Sequence, residues 1–338
     1  MTDDDTPAKP LTGRITSAAA TLAVVLGVPV VLAFLVAGPP AAGGAALGSL
    51  FGFLLALMTG LRLARAFLVP ILLAASLAAL LVDTVWWVVG IGLIGLLMGV
   101  LSSRGLLLPM AMIGIAWSVS RPTDPASDLV VVMVFAAVSG VYAIALARRM
   151  GVPRVVDQPR VATSRAVLMG VGIGLAAVLA GVATQNWDND NAYWLPMTIF
   201  ILGIPAPGVG LTRRATSRVV GTAVGVAVAV TTSVLVQIAI VDYLLAFAAL
   251  VVALAMPTPR WFNAACVSGA IVLALSPTSE SVAIGGSRIG ATALAAVIVL
   301  AVGGVLALVA RLMPASQAQV TQLDAFEQEL DRDSEQSA

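Results

Sequence analysis

The sequence predicts an all-α polytopic membrane protein of about 12 transmembrane helices, arranged as two six-helix repeats in parallel orientation with cytoplasmic N- and C-termini. Three observations predict it: an apolar composition, apolar runs of membrane-spanning length, and an uneven distribution of arginine. Hydrophobic residues make up 60% of 338 positions and charged residues 10%, with a mean hydropathy of +1.04. A soluble domain has no interior that could bury so much apolar surface.

Apolar runs recur along the whole chain and are separated by proline, glycine or charged residues. Most are long enough to cross about 30 Å of hydrocarbon at about 1.5 Å per helical residue. The runs at 105–119 and 243–256 are short, so the charge distribution is needed as a second test of the count. The predicted spans are 18–37, 41–58, 66–81, 85–101, 105–119, 129–147, 166–183, 193–211, 219–240, 243–256, 262–276 and 289–310.

The basic residues fall mainly on one side of the predicted bundle. If the N-terminus is cytoplasmic and the chain crosses 12 times, all basic residues except Arg121 and Arg288 lie on the inner side. This asymmetry is what the positive-inside rule requires. Five of the 6 tryptophans fall at predicted outer helix ends, where an indole ring suits the headgroup level. Both signals therefore favour the same topology.

The sequence also indicates an internal repeat. Ala147-Arg148-Arg149-Met150 closes the sixth span and Ala310-Arg311-Leu312-Met313 closes the twelfth, and six helices per half keep both halves in one orientation. The predicted organisation is a cytoplasmic N-terminal tail at 1–17, a first six-helix membrane half at 18–147, an arginine-rich cytoplasmic linker at 148–165, a second six-helix half at 166–310, and an acidic cytoplasmic C-terminal tail at 311–338.

Composition and motifs exclude several classes of function. Histidine is absent, which excludes imidazole bases and histidine metal ligands. The single cysteine, Cys266, excludes a disulfide within the chain. The sequence contains no phosphate-binding Gly-x-x-x-x-Gly-Lys loop, no metal-ligand cluster and no nucleophile with a matching base. We therefore expect no enzymatic activity, no cofactor, no metal and no nucleic-acid partner.

Carboxylates are absent from the middle of the predicted spans. Asp83, Asp128, Asp242 and Glu280 all fall near the outer boundary. A proton relay usually needs an acidic residue within the membrane, so the sequence gives no basis for proton coupling.

The eighth predicted span ends in a segment that cannot stay helical. Pro205 and Pro207 lack backbone donors, and Gly208 adds flexibility, so the helix should unwind within 204–210. Unwound backbone at this depth is tolerated where it is buried in protein or lines a wet cavity. A plain proline kink and a cavity-lining break are the two interpretations left open.

Positive charge follows this break directly. Arg213 and Arg214 come first, and Arg218 lies about one turn further into the ninth span, on the same face as Thr222. If Arg218 points inward, it can bind an anion; if it reaches the lipid headgroups, it only anchors the helix. Gly221 and Gly225 form a small-x-x-x-small pair, which allows a neighbouring helix to approach closely.

The stretch from Ala192 to Gly225 resembles the fusaric acid resistance protein-like (FUSC) family, which is related to the aromatic acid exporters and, more distantly, to the plant aluminium-activated malate transporters. The resemblance rests on the Tyr-Trp opening, the proline-bearing helix end and the Arg-x-x-Gly-Thr-x-x-Gly pattern. It is good over 190–230, extends through 165–310 and is weak over 1–160. It implies a six-helix unit, doubled here, that exports or conducts organic anions such as aromatic carboxylates. The residues that match the motif are Trp194, Arg218, Gly221, Thr222 and Gly225.

The predicted function is export of organic anions, aromatic carboxylates in particular, across a bacterial plasma membrane. Two alternatives stay open: an organic-anion channel enclosed by the two halves or by two chains, and a membrane scaffold without transport activity. The expected partners are the small organic anion and the lipid bilayer, with a homo-oligomer as an open alternative. The predicted substrate-binding residues are Arg213, Arg214, Arg218, Thr222, Tyr193 and Trp194, and the predicted structural positions are Pro205, Pro207, Gly208, Gly221 and Gly225.

Overall fold

The protein is described by a computed structural model that covers residues 11–120, 126–151, 160–187, 189, 191–205, 210–255, 259–275 and 281–312. All regular secondary structure in these ranges is helical. Seven helices among them are long and apolar enough to cross a membrane, and further apolar helices are shorter. The prediction of an all-α, multi-pass membrane protein is therefore confirmed.

Two short non-α turns lie between helices in the described residues. A π-helical turn at Ala23–Gly27 joins the first two helices, and a 3₁₀ turn at Leu101–Arg104 follows the fourth. Most of the predicted tail at 1–17, the centre of the predicted linker and nearly all of the predicted tail at 311–338 lie outside the described residues. The helices are α1 (Leu11–Leu22), α2 (Val28–Thr59), α3 (Leu61–Leu81), α4 (Val85–Val100), α5 (Leu107–Val119), α6 (Ala126–Arg149), α7 (Thr163–Gln185), α8 (Trp194–Gly203), α9 (Leu211–Val236), α10 (Ala239–Ala255), α11 (Arg260–Leu275) and α12 (Ser281–Leu312).

The chain reverses direction inside α2. Ala37 and Gly38 leave the helical conformation, and Gly38 has a φ of 73°, which glycine adopts without steric cost. On one side of this break, the Tyr142 hydroxyl of α6 donates to the Val24 carbonyl oxygen at 3.1 Å. On the other side, Gly52 lies against the backbone of Gly140. The segments before and after the break therefore run in opposite directions along α6, and the break lies where the sequence predicts the first span to end.

Glycines bring three pairs of helices into close contact. Gly48 of α2 faces the backbone of α6, and Gly99 of α4 faces the backbone of α7. In the third pair, a Cβ atom added to Gly221 of α9 would lie 2.1 Å from the Trp261 carbonyl oxygen of α11. A Cβ added to Gly225 would lie 2.0 Å from the Ala265 carbonyl oxygen. Only glycine fits at such positions, where it lets two backbones touch.

The tryptophans that the sequence predicts at outer helix ends differ in their burial. Trp87, Trp117 and Trp194 are buried, whereas Trp86 is exposed. The Trp117 Nε1 donates to the Trp87 carbonyl oxygen at 3.2 Å, and the Trp117 ring occupies the space that a side chain at Gly90 would fill. The large rings thus fill gaps left by glycines on neighbouring helices, a pairing that residue positions along one helix do not reveal.

We predict that Gly225→Ala destabilises the fold. The added methyl group would meet backbone atoms of α11, which cannot rotate away, and overpacking of this kind costs about 1–3 kcal/mol. Thermal unfolding of the purified protein in detergent should show a midpoint several degrees lower. Gly304→Ala is the matched control, because nothing lies within 4 Å of a Cβ added there. Equal midpoints for the two variants would contradict the close contact between α9 and α11.

Candidate anion-binding site

The candidate site is built around α8, the shortest of the described α-helices. Its 10 residues span about 15 Å, which is half the thickness of the hydrocarbon core. After Gly203 the backbone becomes extended, with Ile204 at a ψ of 113°. Pro205 is likewise outside any helix. Pro207 and Gly208, which the sequence singles out as part of the break, lie outside the described residues.

Arg214 holds the C-terminal end of α8. Its Nη1 donates to the Leu202 carbonyl oxygen at 3.0 Å and also to the carbonyl oxygen of Ile204. These carbonyl groups have no partner further along the helix because the helix ends there, and a positive charge also suits the C-terminal end of the helix dipole. Arg214 therefore fixes the broken end of α8 to the beginning of α9.

An apolar cavity of about 180 Å³ lies beside this contact. Side chains from α7, α8, α9 and α12 line it, including Ile173 and Val302, together with Pro205 after the end of α8. Arg214 is the one charged residue among the described residues that line it. The break after α8 thus borders an apolar cavity with a single cationic group at its wall.

Arg288 is the most deeply buried charged residue near α8. It lies in α12 with only 2% of its surface exposed, and its guanidinium carbon is 3.9 Å from the centroid of the Trp194 ring. This is a cation–π contact, in which the face of the indole ring attracts the positive charge. The Nε and Nη1 of Arg288 are buried without a hydrogen-bond partner.

Arg218 adds a second positive charge to the same region. It is partly buried, in α9, and its Nε is enclosed by protein without a hydrogen-bond partner. It lies close enough to Arg288 for the two charges to repel each other. The Nε1 of Trp194 is a further buried donor without an acceptor. These donors belong to α8, α9 and α12, and none of them bonds to an acceptor among the described residues.

The electrostatics of this cluster favour a negatively charged occupant. Among the described residues, no carboxylate forms an ion pair with Arg218 or Arg288. An uncompensated buried charge is unfavourable by several kcal/mol, and the penalty falls when an opposite charge is bound with hydrogen bonds. A carboxylate accepts several hydrogen bonds from guanidinium groups. The cluster can therefore bind a carboxylate or a similar anion.

Residues 179–302 match the model of the family described as fusaric acid resistance protein-like. The chain carries a FUSC-like region. The matched range runs from the last turns of α7 into α12 and contains Trp194, Arg218 and Arg288. This confirms the family resemblance predicted from the sequence, while the relation to aluminium-activated malate transporters stays a prediction. Neither a curated protein nor a solved structure gives a match to the chain.

The FUSC-like region and the apolar helices together indicate a multi-pass membrane protein with a role in transport or efflux. Within this region, the structure brings only some of the predicted site residues together. Tyr193 and Trp194 stack with their ring centroids 4.5 Å apart, and both lie beside Arg288. Arg213, in contrast, is exposed at the start of α9.

Thr222 contributes a hydrogen bond to the contact between α9 and α11. Its hydroxyl group lies 3.2 Å from the hydroxyl group of Ser268, and both residues are buried. This hydrogen bond lies between the contacts of Gly221 and Gly225 with the α11 backbone. In the FUSC-like region, the Gly-Thr-x-x-Gly pattern thus places two glycines and a hydroxyl group in one helix contact.

Sequence reasoning missed Arg288 as a site residue. The last span was expected to begin at 289, but α12 begins at Ser281, so Arg288 lies about two turns inside the helix. The polar and glycine-containing sequence from Ser281 to Ser287 conceals this first part of the helix. The available signal was a lone arginine followed by Ile289 and further small, apolar residues, a setting in which a charge has no solvent.

A buried carboxylate also lies in the FUSC-like region. Asp242, in the first turn of α10, is 1% exposed. Its Oδ2 accepts a hydrogen bond of 3.0 Å from the Ser233 hydroxyl group of α9, while its Oδ1 is buried without a partner. The sequence placed Asp242 near the outer boundary but could not show that neighbouring helices enclose it.

We predict that Arg214→Ala destabilises the protein, whereas Arg213→Ala does not. The first change leaves the carbonyl oxygens at the end of α8 without their donor, which costs about 1–3 kcal/mol. The second removes the same charge from an exposed neighbour, where effects are usually within about 0.5 kcal/mol. Hydrogen exchange should increase in the last turn of α8 only for Arg214→Ala. Identical exchange in both variants would show that Arg214 does not hold this helix end.

Proposed function

We propose that this protein exports small organic anions, aromatic carboxylates in particular, and that Arg288, Arg218 and Trp194 bind them. The observation that carries the proposal is the buried guanidinium group of Arg288, which has two nitrogens without a partner. Arg218 contributes a second charge nearby. A bound carboxylate would compensate both charges and accept their hydrogen bonds.

The surroundings of the charges favour an aromatic substrate. The rings of Tyr193 and Trp194 form a tilted pair, and the Arg288 guanidinium group is stacked on the second ring. Planar aromatic surfaces of this kind pack well against another aromatic ring. The apolar cavity beside Arg214, of about 180 Å³, would accept the ring of a small aromatic acid on its way to the buried cluster.

We propose about 12 membrane crossings in two parallel six-helix halves, with both termini in the cytoplasm. Helix directions support this proposal. The glycine contacts make α2 parallel to α6 and α9 parallel to α11, and they make α4 antiparallel to α7. Successive crossings that alternate in direction require this pattern, provided that the reversal at Gly38 separates the first two crossings.

The packing partners of the helices support the repeat as well. In the first half, α3 packs on α5 and α6, and α4 packs on α5. In the second half, α9 packs on α11 and α12, and α10 packs on α11. Between the halves, α4 packs on α7 and α10 packs on α1. Each of these contacts has a counterpart six helices further on, as a two-fold repeat about an axis normal to the membrane would produce.

The charge distribution favours export. The arginines of the predicted inner side would concentrate anions at the cytoplasmic end of the bundle, whereas the predicted outer loop before α8 contains Asp188 and Asp190 and no basic residue. A field of this sign gathers negatively charged solutes inside and does not retain them outside. The proposed location is the plasma membrane of a bacterium, and the proposed activity is transport without catalysis.

The enclosure of the site favours a carrier over an open channel. Arg288 is almost completely buried, so this part of the proposed substrate site is closed to solvent in this conformation. A carrier passes through such a state when the site changes its exposure from one side to the other. The α8 helix and the extended backbone after it would lie beside the path, because discontinuous helices commonly border substrate sites in transporters.

We predict that Arg288→Gln strongly reduces the efflux of an aromatic carboxylate such as benzoate from proteoliposomes. Glutamine keeps a polar side chain but removes the charge, and a hydrogen bond to a charged group contributes about 1.5–3 kcal/mol. This corresponds to a loss of about 10- to 150-fold in affinity. The flux should be measured over a range of substrate concentrations so that an increase in KM can be recognised.

Arg213→Gln is the control for this experiment, because it removes one positive charge from the exposed start of α9. We expect it to leave the KM for benzoate unchanged. Thermal unfolding of both variants shows whether Arg288→Gln still folds. A folded Arg288→Gln protein with wild-type transport would remove Arg288 from the proposed site.

We predict opposite accessibility at the two ends of α7. On a Cys266→Ala background, a cysteine at Asn186 should react with a membrane-impermeant maleimide added to intact cells. A cysteine at Ser164 should react only after the membrane is opened. Both positions are exposed in the structure, so burial does not limit the reaction. The reverse pattern would contradict the proposed cytoplasmic position of the arginine-rich ends.

A further inference from the structure

We propose that the groove between α3 and α6 binds an anionic phospholipid of the cytoplasmic leaflet, with its phosphate groups held by Arg65, Arg148 and Arg149. The groove has a volume of about 560 Å³, and these three arginines line it together with apolar side chains. It belongs to the first half of the chain, outside the FUSC-like region. The inference goes beyond anion export and depends only on the proposed orientation of the helices.

Three positive charges meet at one end of this groove. Arg65 lies in the second turn of α3, and Arg148 and Arg149 end α6. All three are exposed. A guanidinium group binds phosphate oxygens through two parallel hydrogen bonds. The positive-inside rule requires only that such charges lie on the cytoplasmic side, whereas here residues from two helices converge on a single groove.

The rest of the groove is apolar. Leu68 and Ile144 form buried parts of its lining, and Val69 and Val141 are each 59% exposed along it. Exposed apolar residues continue along both helices away from the arginines, including Leu73 and Val138, each 64% exposed. An acyl chain would cover this surface over several helical turns.

Three arginines beside an exposed apolar surface fit a lipid better than a soluble anion. A soluble anion would use the arginines but leave the exposed valines and leucines without a partner. Basic pockets between transmembrane helices on the cytoplasmic side bind phospholipid headgroups, including those that carry two phosphates. Three arginines match two phosphate groups better than one. We therefore assign the groove to a diphosphatidylglycerol-type lipid, in which the phosphates and the acyl chains belong to one molecule.

Native mass spectrometry of the purified full-length protein tests this assignment. Diphosphatidylglycerol, phosphatidylglycerol and phosphatidylcholine are added separately, and the retained lipid is counted. We expect diphosphatidylglycerol to be retained most strongly and to raise the thermal unfolding midpoint. The triple variant Arg65→Gln/Arg148→Gln/Arg149→Gln should bind it at least about 10-fold more weakly, because it removes the three charges that attract the anionic headgroup.

A second triple variant, Arg104→Gln/Arg160→Gln/Arg165→Gln, provides the matched control. It removes the same number of charges from exposed positions on the same predicted side, outside the groove. We expect it to retain the lipid as the wild type does. Equal losses in the two triple variants would show general charge attraction and overturn the proposal, as would equal retention of diphosphatidylglycerol by the groove variant and the wild type.

Filling the groove without changing its charge tests the acyl-chain contact. Val141→Trp should reduce retention of diphosphatidylglycerol, because the larger ring occupies the space assigned to an acyl chain. Unchanged retention, or complete displacement of the lipid by inorganic phosphate, would indicate a soluble-anion site instead. Arg288→Gln should retain the lipid normally, so a failure of the transport proposal and a failure of this one can be told apart.

Discussion

The contact between the Arg288 guanidinium group and the Trp194 ring joins α12 to the beginning of α8. A charge in this position must be enclosed by helices that supply aromatic and polar atoms, because lipid supplies neither. The ring of Trp194, the first residue of α8, meets one face of the guanidinium group. The early end of α8 in turn leaves carbonyl groups that Arg214 satisfies. Two arginines thus contact the two ends of α8: Arg288 of α12 packs on its first residue, and Arg214 of α9 donates hydrogen bonds at its last turn.

The two sets of arginines show how burial separates two roles of the same residue type. Arg65, Arg148 and Arg149 keep their charges at the helix ends, where solvent and headgroups reduce the cost of the charge. Arg218 and Arg288 have enclosed nitrogens that lack partners among the described residues, and the proposed anion would supply those partners. The sequence alone does not distinguish the two sets, since both consist of arginines beside apolar runs.

The sequence predicted the helices well where one apolar run ended in a clear interruption. The expected span at 85–101 corresponds to Val85–Val100, and the span expected at 129–147 lies within Ala126–Arg149. The prediction failed at the beginning of α12, where the polar and small residues from Ser281 to Ser287 interrupt the apolar run although Ser281 and Ser287 are buried. The burial of Asp242 was hidden for the same reason, because its partner Ser233 belongs to another helix. Contacts between helices depend on rotation about the helix axis, which apolar periodicity does not determine in helices that are apolar on all sides.

The glycine contacts also determine which parts of the bundle can move. The α9 glycines touch the α11 backbone, and backbone atoms cannot move aside by changing rotamer. We therefore expect α9 and α11 to move together as one rigid unit. The contact of α9 with α12 is different, because Gly285 meets the ends of Val226 and Val230 side chains, and side chains can repack during a small shear. Sliding of α12 along this surface would move Arg288 past the guanidinium group of Arg218. The repulsion between the two positive charges would oppose this movement unless an anion were bound between them. In the proposed transport function, this repulsion would couple the movement of α12 to the presence of a bound anion.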